Sequence, residues 1–267
     1  AYGYIVRMFN GDNISYALGD ASTAYCGISN IRLWKRSFEK YHLTQTPENG
    51  FGETPLKKYR RHIFLLHPNK VVIYDELEAN EKVRWDWLLH SPVKFDINPA
   101  ASILTTVNKE KGFSSVVQLF CEQEAAITQT DKYAAPPNHA DAQRGEDFTD
   151  PWSLTASFGP SRNNRILTII QVEADGRQAV QIMREGNTFR CGEWVIEAEL
   201  NAKRPGRLYI RNSRNNAVFS YGDKKPEING ELYSCKEKDA SVLFDCVNGE
   251  WTVQEMGDQR VQTMGKW

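Results

Sequence analysis

The sequence has no run of the eighteen or so apolar residues that a membrane-spanning helix needs. It also opens without a charged, apolar leader. Net charge is nearly absent: 33 Lys and Arg stand against 34 Asp and Glu, leaving -1. No global field therefore draws in a polyanion, which argues against nucleic acid as a partner, and an acidic ligand has to be met by a local basic cluster. Closely spaced cysteines are missing as well. Cys26, Cys121, Cys191, Cys235 and Cys246 are dispersed with no Cys-x-x-Cys pair, which excludes a zinc ribbon or a redox dithiol. They read as free, buried thiols. Cys235 and Cys246 also lie at a spacing that a hairpin would bring together, and their connectivity stays open at this level. Finally, no apolar period of 3.6 is sustained over three turns, so few or no helices are expected.

What the chain does have is strands. Residues 59–93 hold three in close succession: 60–67 and 71–77 flank the turn Pro68-Asn69-Lys70, and 83–90 follows a polar connector at 78–82. In the third, Val83, Trp85, Trp87 and Leu89 alternate with Arg84, Asp86, Leu88 and His90, so one face is aromatic and buried. This pairing of Trp85 and Trp87 reads as core packing rather than a sugar platform, and His90 as a strand-end histidine. Asp75 and Glu76, neighbours in a strand, face opposite sides. Asp75 reads as a structural acceptor for backbone or arginine donors.

Before this region, 4–9 and 14–18 form a hairpin around Asn10-Gly11-Asp12-Asn13, residues that tolerate positive φ. Asp20 is placed to cap a helical turn at 21–25. A further strand is expected at 31–38, and 39–58 reads as an exposed excursion. After Pro92 strands recur at 102–107, 113–120, 125–130, 152–158, 166–173, 178–184, 193–200, 207–211, 217–221, 232–235, 242–246 and 251–255. Asp175-Gly176, Glu185-Gly186-Asn187, Asn229-Gly230 and Asn248-Gly249 supply turns between them. The fold expected is all-β: a large, two-layered antiparallel β-sandwich of the supersandwich kind, since one flat sheet would leave long edges exposed. Residues 1–221 would form the main domain. Residues 222–267 would form a small terminal β-unit, either separate from or part of it.

Candidate binding residues are few. Lys57, Lys58, Arg60 and Arg61 make the one dense basic cluster, and Arg60 and Arg61 are its candidates for contact with sulfates or carboxylates. A polar stretch without strand signals, 131–150, contributes His139 and Arg144 by its length and mixture of donors. His62 and His67 are five apart in a strand and so face opposite sides, which is wrong for joint chelation. No metal ligand is assigned.

Three short segments agree in order and spacing with a known family. They are Gly19-Asp20-Ala21-Ser22-Thr23-Ala24-Tyr25, then Val72-Ile73-Tyr74-Asp75 on an arginine-led hairpin, then Trp87-Leu88-Leu89-His90-Ser91. Together, over 19–92, they resemble the C-terminal β-sheet domain of heparinase II/III-like polysaccharide lyases. The resemblance implies an N-terminal α/α toroid partnering this sandwich, with the active site in the cleft between them. It implies β-elimination on a uronic-acid polysaccharide such as a glycosaminoglycan or alginate-like uronan, in a periplasmic or secreted enzyme. That reaction removes the C5 proton beside a carboxylate and needs a tyrosine or histidine base with a group that stabilises the resulting anion.

The His-x-His motif with which the family holds its histidine and metal has no counterpart here. The expectation is that it lies upstream of Ala1, together with the catalytic residues and any divalent metal, zinc or calcium. No catalytic residue and no cofactor is assigned to this chain, which is expected to be the inactive C-terminal part of a larger protein. Two alternatives remain at this level. One is a non-catalytic carbohydrate-binding or packing module. The other is an epimerase-like or mutarotase-like supersandwich enzyme, which would need convergent His and Glu side chains in a sheet concavity.

Overall fold

A computed structural model describes residues 3–24, 39–40, 42, 44, 54–132, 151–174, 177–212, 214, 216–222, 225–228, 231–236 and 239–258. The expected all-β sandwich is what these residues form. The first sheet contains β1 (Tyr4–Asn10), β2 (Ile14–Asp20), β3 (Leu56–Leu66), β4 (Lys70–Ser91), β5 (Asp96–Asn98), β6 (Ile103–Asn108), β7 (Phe113–Phe120), β8 (Ala125–Thr130) and β9 (Trp152–Ala174). Its order is β1-β2-β3-β4-β9-β7-β6-β5, with β8 alongside the outer part of β9. The second sheet contains β10 (Ile182–Glu185), β11 (Thr188–Cys191), β12 (Trp194–Ala198), β13 (Leu208–Asn212), β14 (Ala217–Tyr221), then β17 (Ser241–Val247) and β18 (Glu250–Met256), neighbours in that order. A two-stranded ribbon, β15 (Glu227–Ile228) with β16 (Glu231–Leu232), branches off before β17. Every pairing is antiparallel.

Alternation along β2, β3 and β4 sends Tyr16, Leu18, Phe64, Leu66, Val72 and Tyr74 toward the second sheet. There they pack on Trp194, Ile196, Leu208, Ile210, Phe219 and Leu243 in one buried core. Offset aromatic rings fill it, with Tyr16, Phe64 and Phe219 mutually 4.6–4.7 Å apart.

Several strand boundaries differ from the sequence expectation: β3 begins at Leu56, inside the expected excursion, the strand expected at 178–184 is only β10 from Ile182, the one expected at 232–235 is only Glu231–Leu232, and β4 and β9 differ most. The polar residues 78–82 do not end a strand; β4 runs through them, and its register against β9 shifts between Glu78 and Val83 and again before Trp85. A charged, solvent-facing stretch is compatible with a bulge as well as with a turn, and antiparallel partners on both sides decide for the bulge. Likewise 152–158 and 166–173 are one strand, β9. These two long strands extend past the sandwich, and their outer halves close a second core. Trp85, Trp87, Leu154, Ala156 and Phe158 pack there with Phe95, Leu104, Val117 and Leu119. Core packing of Trp85 and Trp87 is therefore borne out.

The turns follow their chemistry with one exception. Asn248 and Gly249 have φ of 53° and 86° between β17 and β18, and Gly186 has φ of 58° between β10 and β11. Gly11 is needed for a different reason than positive φ: a Cβ on it would lie 2.2 Å from Asp245 Oδ2. Asp245 instead accepts from Asn13 N and Nδ2 at 3.1 and 2.7 Å, tying the first hairpin to the second sheet.

Cys121, Cys191, Cys235 and Cys246 are free thiols, and of these only Cys191 is buried, which corrects the expectation of buried thiols throughout. Burial pushes the Cys191 thiol up to about 11. Cys246 sits opposite Trp251, since β17 takes β18 as its hairpin partner. The expected strand at 31–38, the Asp175-Gly176 and Asn229-Gly230 turns and Cys26 lie outside the described residues.

Candidate functional site

Two of the three segments of the family resemblance meet at one end of the first sheet, and the third lies further along β4, paired with β9. The ladder sets Gly19 opposite Arg61 and Asp20 opposite Arg60, and on the other side of β3 sets Arg61 opposite Asp75. Asp20 caps the turn after β2, its Oδ1 accepting from Ser22 N at 3.0 Å, and Ala24 N bonds back to Ala21 O. The turn is stitched to β3 twice: Ala21 N donates to Tyr59 O at 2.8 Å and Ser22 Oγ accepts from Tyr59 N at 3.0 Å.

Strand alternation then divides the basic cluster between two faces. Arg61 and Tyr59 point away from the second sheet. Arg61 forms a fork with Asp75 at 2.6 and 2.9 Å and lies 5.7 Å from the Tyr59 ring centroid. Asp75 is thus the acceptor for arginine that its sequence setting suggested. Lys58 and Arg60 point inward, to a polar cleft between the sheets of about 300 Å³ lined by Arg7, Glu76, Gly206, Tyr221 and Asp258. Arg60 Nε bonds Asp20 Oδ2 at 3.0 Å, and Asp258 bridges Arg60 and Arg7. Lys57, outermost, lies 3.6 Å from Glu78. Arg60 and Arg61 are therefore both already held by carboxylates of this chain. His139 and Arg144 lie outside the described residues.

The centre of the inner face is Glu76, to which the sequence reading gave no role. One of its oxygens accepts from Tyr221 OH at 2.8 Å and lies 3.4 Å from His62 Nε2. The other accepts from Lys58 Nζ at 3.0 Å and lies 3.6 Å from Arg165 Nη2. A Cβ on Gly206 would stand 2.2 Å from this carboxylate, so the connection between β12 and β13 approaches it as backbone. Beyond His62 the chain of contacts continues: Nδ1 is 3.0 Å from Tyr16 OH, which is 3.2 Å from Ser241 Oγ, which accepts from Arg7 Nη1 at 2.9 Å.

One arrangement of protons satisfies every member. Neutral His62 donates from Nε2 to Glu76 and accepts Tyr16 OH at Nδ1, while Ser241 donates to Tyr16. Electrostatics agree with it. Burial lowers the His62 pKa, with the Glu76 carboxylate pulling less strongly the other way. Burial disfavours the Glu76 charge too, but the hydrogen bond from His62, the nearby Lys58 and the Tyr221 hydroxyl together hold it well below the usual carboxylate range. Burial drives Tyr16 and Tyr221 well above a normal phenol.

This network makes the fold sensitive to acid. His62 is depressed in the folded state, so the unfolded chain takes up its proton first; stability is intact above the ordinary histidine value of 6.5 and declines as pH falls below it. Glu76, also depressed, adds a further loss below the ordinary carboxylate value of 4.5. Chemical denaturation between pH 7 and 5 should show the first loss, and His62→Gln should flatten it. An unchanged slope in that variant would mean that His62 does not titrate with folding.

On the outer face lies a larger pocket, about 500 Å³, against the same strands. Tyr59, Arg61, Asp75, Trp85, Asp86 and Trp87 are among its walls. Trp85 Nε1 is held by Ser161, 3.1 Å from its Oγ, and Asp86 accepts from Ser157 Oγ at 2.7 Å and from Arg84. Among the described residues no group of three or more His, Cys, Asp or Glu side chains is arranged to hold a metal ion. The His, Glu and Tyr side chains that do converge, around Glu76, fill one another's hydrogen-bonding capacity.

No family profile matches the sequence, and no curated protein matches it. Solved structures do resemble it. The heparinase III BT4657 gene product aligns over 79% of this chain with a TM-score of 0.47 and 10% identity. Heparan sulfate lyase HepC from Pedobacter heparinus aligns over 97% with a TM-score of 0.46 and 7% identity. A crystal structure of heparinase III aligns over 92% with a TM-score of 0.45 and 12% identity. The chain spans only 26% to 29% of the length of these proteins.

Proposed function

We propose that this chain is the C-terminal β-sandwich portion of a polysaccharide lyase that cleaves an acidic, uronic-acid-containing polysaccharide by β-elimination. The observation that carries the reading is that two of the three segments, some forty residues apart, are built into one connected end of the first sheet. The Gly19-Asp20-Ala21-Ser22 turn and the arginine-led hairpin form one connected end of the first sheet, joined by Asp20–Arg60, Arg61–Asp75 and the Ser22–Tyr59 stitches. Trp87, which opens the third segment, lines the same pocket as Tyr59, Arg61 and Asp75.

β-Elimination needs a base that can reach a sugar. Tyr16, Tyr74 and Tyr221 lie between the sheets, where burial raises them, and both ring nitrogens of buried His62 already have partners. These side chains suit a wall that is rigid rather than reactive. In this reading the base, any divalent metal and the remainder of the cleft belong to an N-terminal α/α toroid, and the protein works in the periplasm or outside the cell.

The test compares this chain alone with the complete protein that contains it, each incubated with heparan sulfate and with alginate, following the ultraviolet absorbance of unsaturated uronate. Product is expected from the complete protein only. Robust product from this chain alone, or none from the complete protein on either substrate, would overturn the proposal.

A further inference from the structure

We propose that Arg7 and Arg60, in the polar cleft between the sheets, form a site for the carboxylate or sulfate of an acidic ligand, and that Asp258 fills it from within the chain as a displaceable plug. This site stands apart from the lyase reading and needs only the charges of the cleft.

The cationic side of the site is built in. The Arg7 side chain is 3% exposed, and two contacts hold its guanidinium without Asp258. Nη1 donates to Ser241 Oγ at 2.9 Å, and Cζ lies 5.6 Å from the Tyr221 ring centroid. The remaining edge, Nε and Nη2, meets Asp258 Oδ1 at 2.8 and 2.7 Å. That edge is the one with which a guanidinium receives a carboxylate or a sulfate. Arg60 is anchored in the same manner: its Nε donates to Asp20, which leaves Nη2 for the other oxygen of Asp258.

The anionic side is only laid on. Asp258 lies beyond the end of β18 at Met256, in no strand, and its side chain is 40% exposed. Arg61 and Asp75 show the contrast. They face each other across a ladder, and the Asp75 side chain is 2% exposed, so that pair cannot part without opening the sheet. Turning Asp258 outward breaks no ladder bond. The cleft of about 300 Å³ is then lined by Arg7, Lys58 and Arg60 against Glu76 and Asp239, which leaves one cation in surplus. A buried guanidinium without its counter-charge is costly enough to draw in another anion. A tethered carboxylate competes at an effective concentration in roughly the millimolar range, so an outside anion reaches its full affinity only once the plug is gone.

The test follows the arginine Nε–H resonances of the 15N-labelled chain during titration with sodium acetate or sodium sulfate, with chloride holding the ionic strength constant. In Asp258→Asn the Arg60 resonance, assigned by its loss in Arg60→Gln, should shift saturably, with a midpoint at least about tenfold lower than in wild type. Saturation by acetate alone marks a carboxylate site, and by sulfate alone a sulfate site. The melting temperature of Asp258→Asn reads the same site without a spectrum. Acetate should raise it above the value in chloride at equal ionic strength, and should no longer do so once Arg60→Gln is added. The same midpoint in wild type and Asp258→Asn, or no saturable shift with either anion, overturns the proposal, as does equal melting in the two salts.

Discussion

Glu76→Ala should destabilise the protein by about 3–5 kcal/mol, the usual cost of removing one partner from a buried, hydrogen-bonded charge cluster. The carboxylate is 2% exposed and receives Tyr221 directly, with His62, Lys58 and Arg165 all within 3.6 Å. Alanine would leave two of these as buried donors without an acceptor and two cations facing each other. Gly206 can come this close only as glycine, so it offers no side chain to refill the space. The cost should fall on stability; the strands around Glu76 keep their ladder bonds and the far half of the sheet is untouched. Urea denaturation of the purified chain measures it. A loss below about 1 kcal/mol would show that the cluster behaves as solvated surface pairing, whose members exchange water for one another at little gain.

A comparable loss, again about 3–5 kcal/mol, is expected from Trp194→Ala, by a different mechanism. Trp194 is 1% exposed and sits in the core between the sheets, contributed by β12. Its removal takes a large apolar surface from contact and leaves a cavity that sheet backbones, locked by ladders on both sides, cannot close. In a domain of this size that corresponds to a fall in melting temperature of roughly 10 °C or more. The two variants separate the forces holding the layers together. Lowering the pH should narrow the gap between wild type and Glu76→Ala, because acid removes the same interactions, and should leave the Trp194→Ala deficit nearly constant. Parallel behaviour of both variants with pH would refute that division.

Much of this architecture could be read from local patterns because the physics is local. Alternation in 83–90 puts Val83, Trp85, Trp87 and Leu89 on one face whatever the strand pairs with, and Asn248-Gly249 accepts positive φ with no help from the rest of the chain. The all-β class, the two layers and the ion pair awaiting Asp75 follow from such rules. The extent of β4 and β9 does not. Glu78-Ala79-Asn80-Glu81-Lys82 is equally at home in a turn or a bulge, and only the strands on either side decide which.

That the basic cluster of 57–61 is divided between two faces emerged only from the sheet. Side-chain order along the chain was enough to say that the chain is built of strands and where several hairpins turn. It also marked Arg60 and Arg61, through side-chain type, as groups that seek carboxylates. Which carboxylates those are became fixed only when the sheets stacked. Asp20 and Asp258 reach Arg60 from forty residues before it and nearly two hundred after it, and Tyr221 reaches Glu76 across 145 positions. The Trp87 indole, whose N–H has no partner among the described residues, belongs to the same category. Its burial follows from alternation, but whether its N–H finds a partner depends on what the outer halves of β4 and β9 fold against. Hydrophobic alternation acts between neighbours in the chain, whereas pairing of polar groups is settled by distances that exist only once the two layers have met.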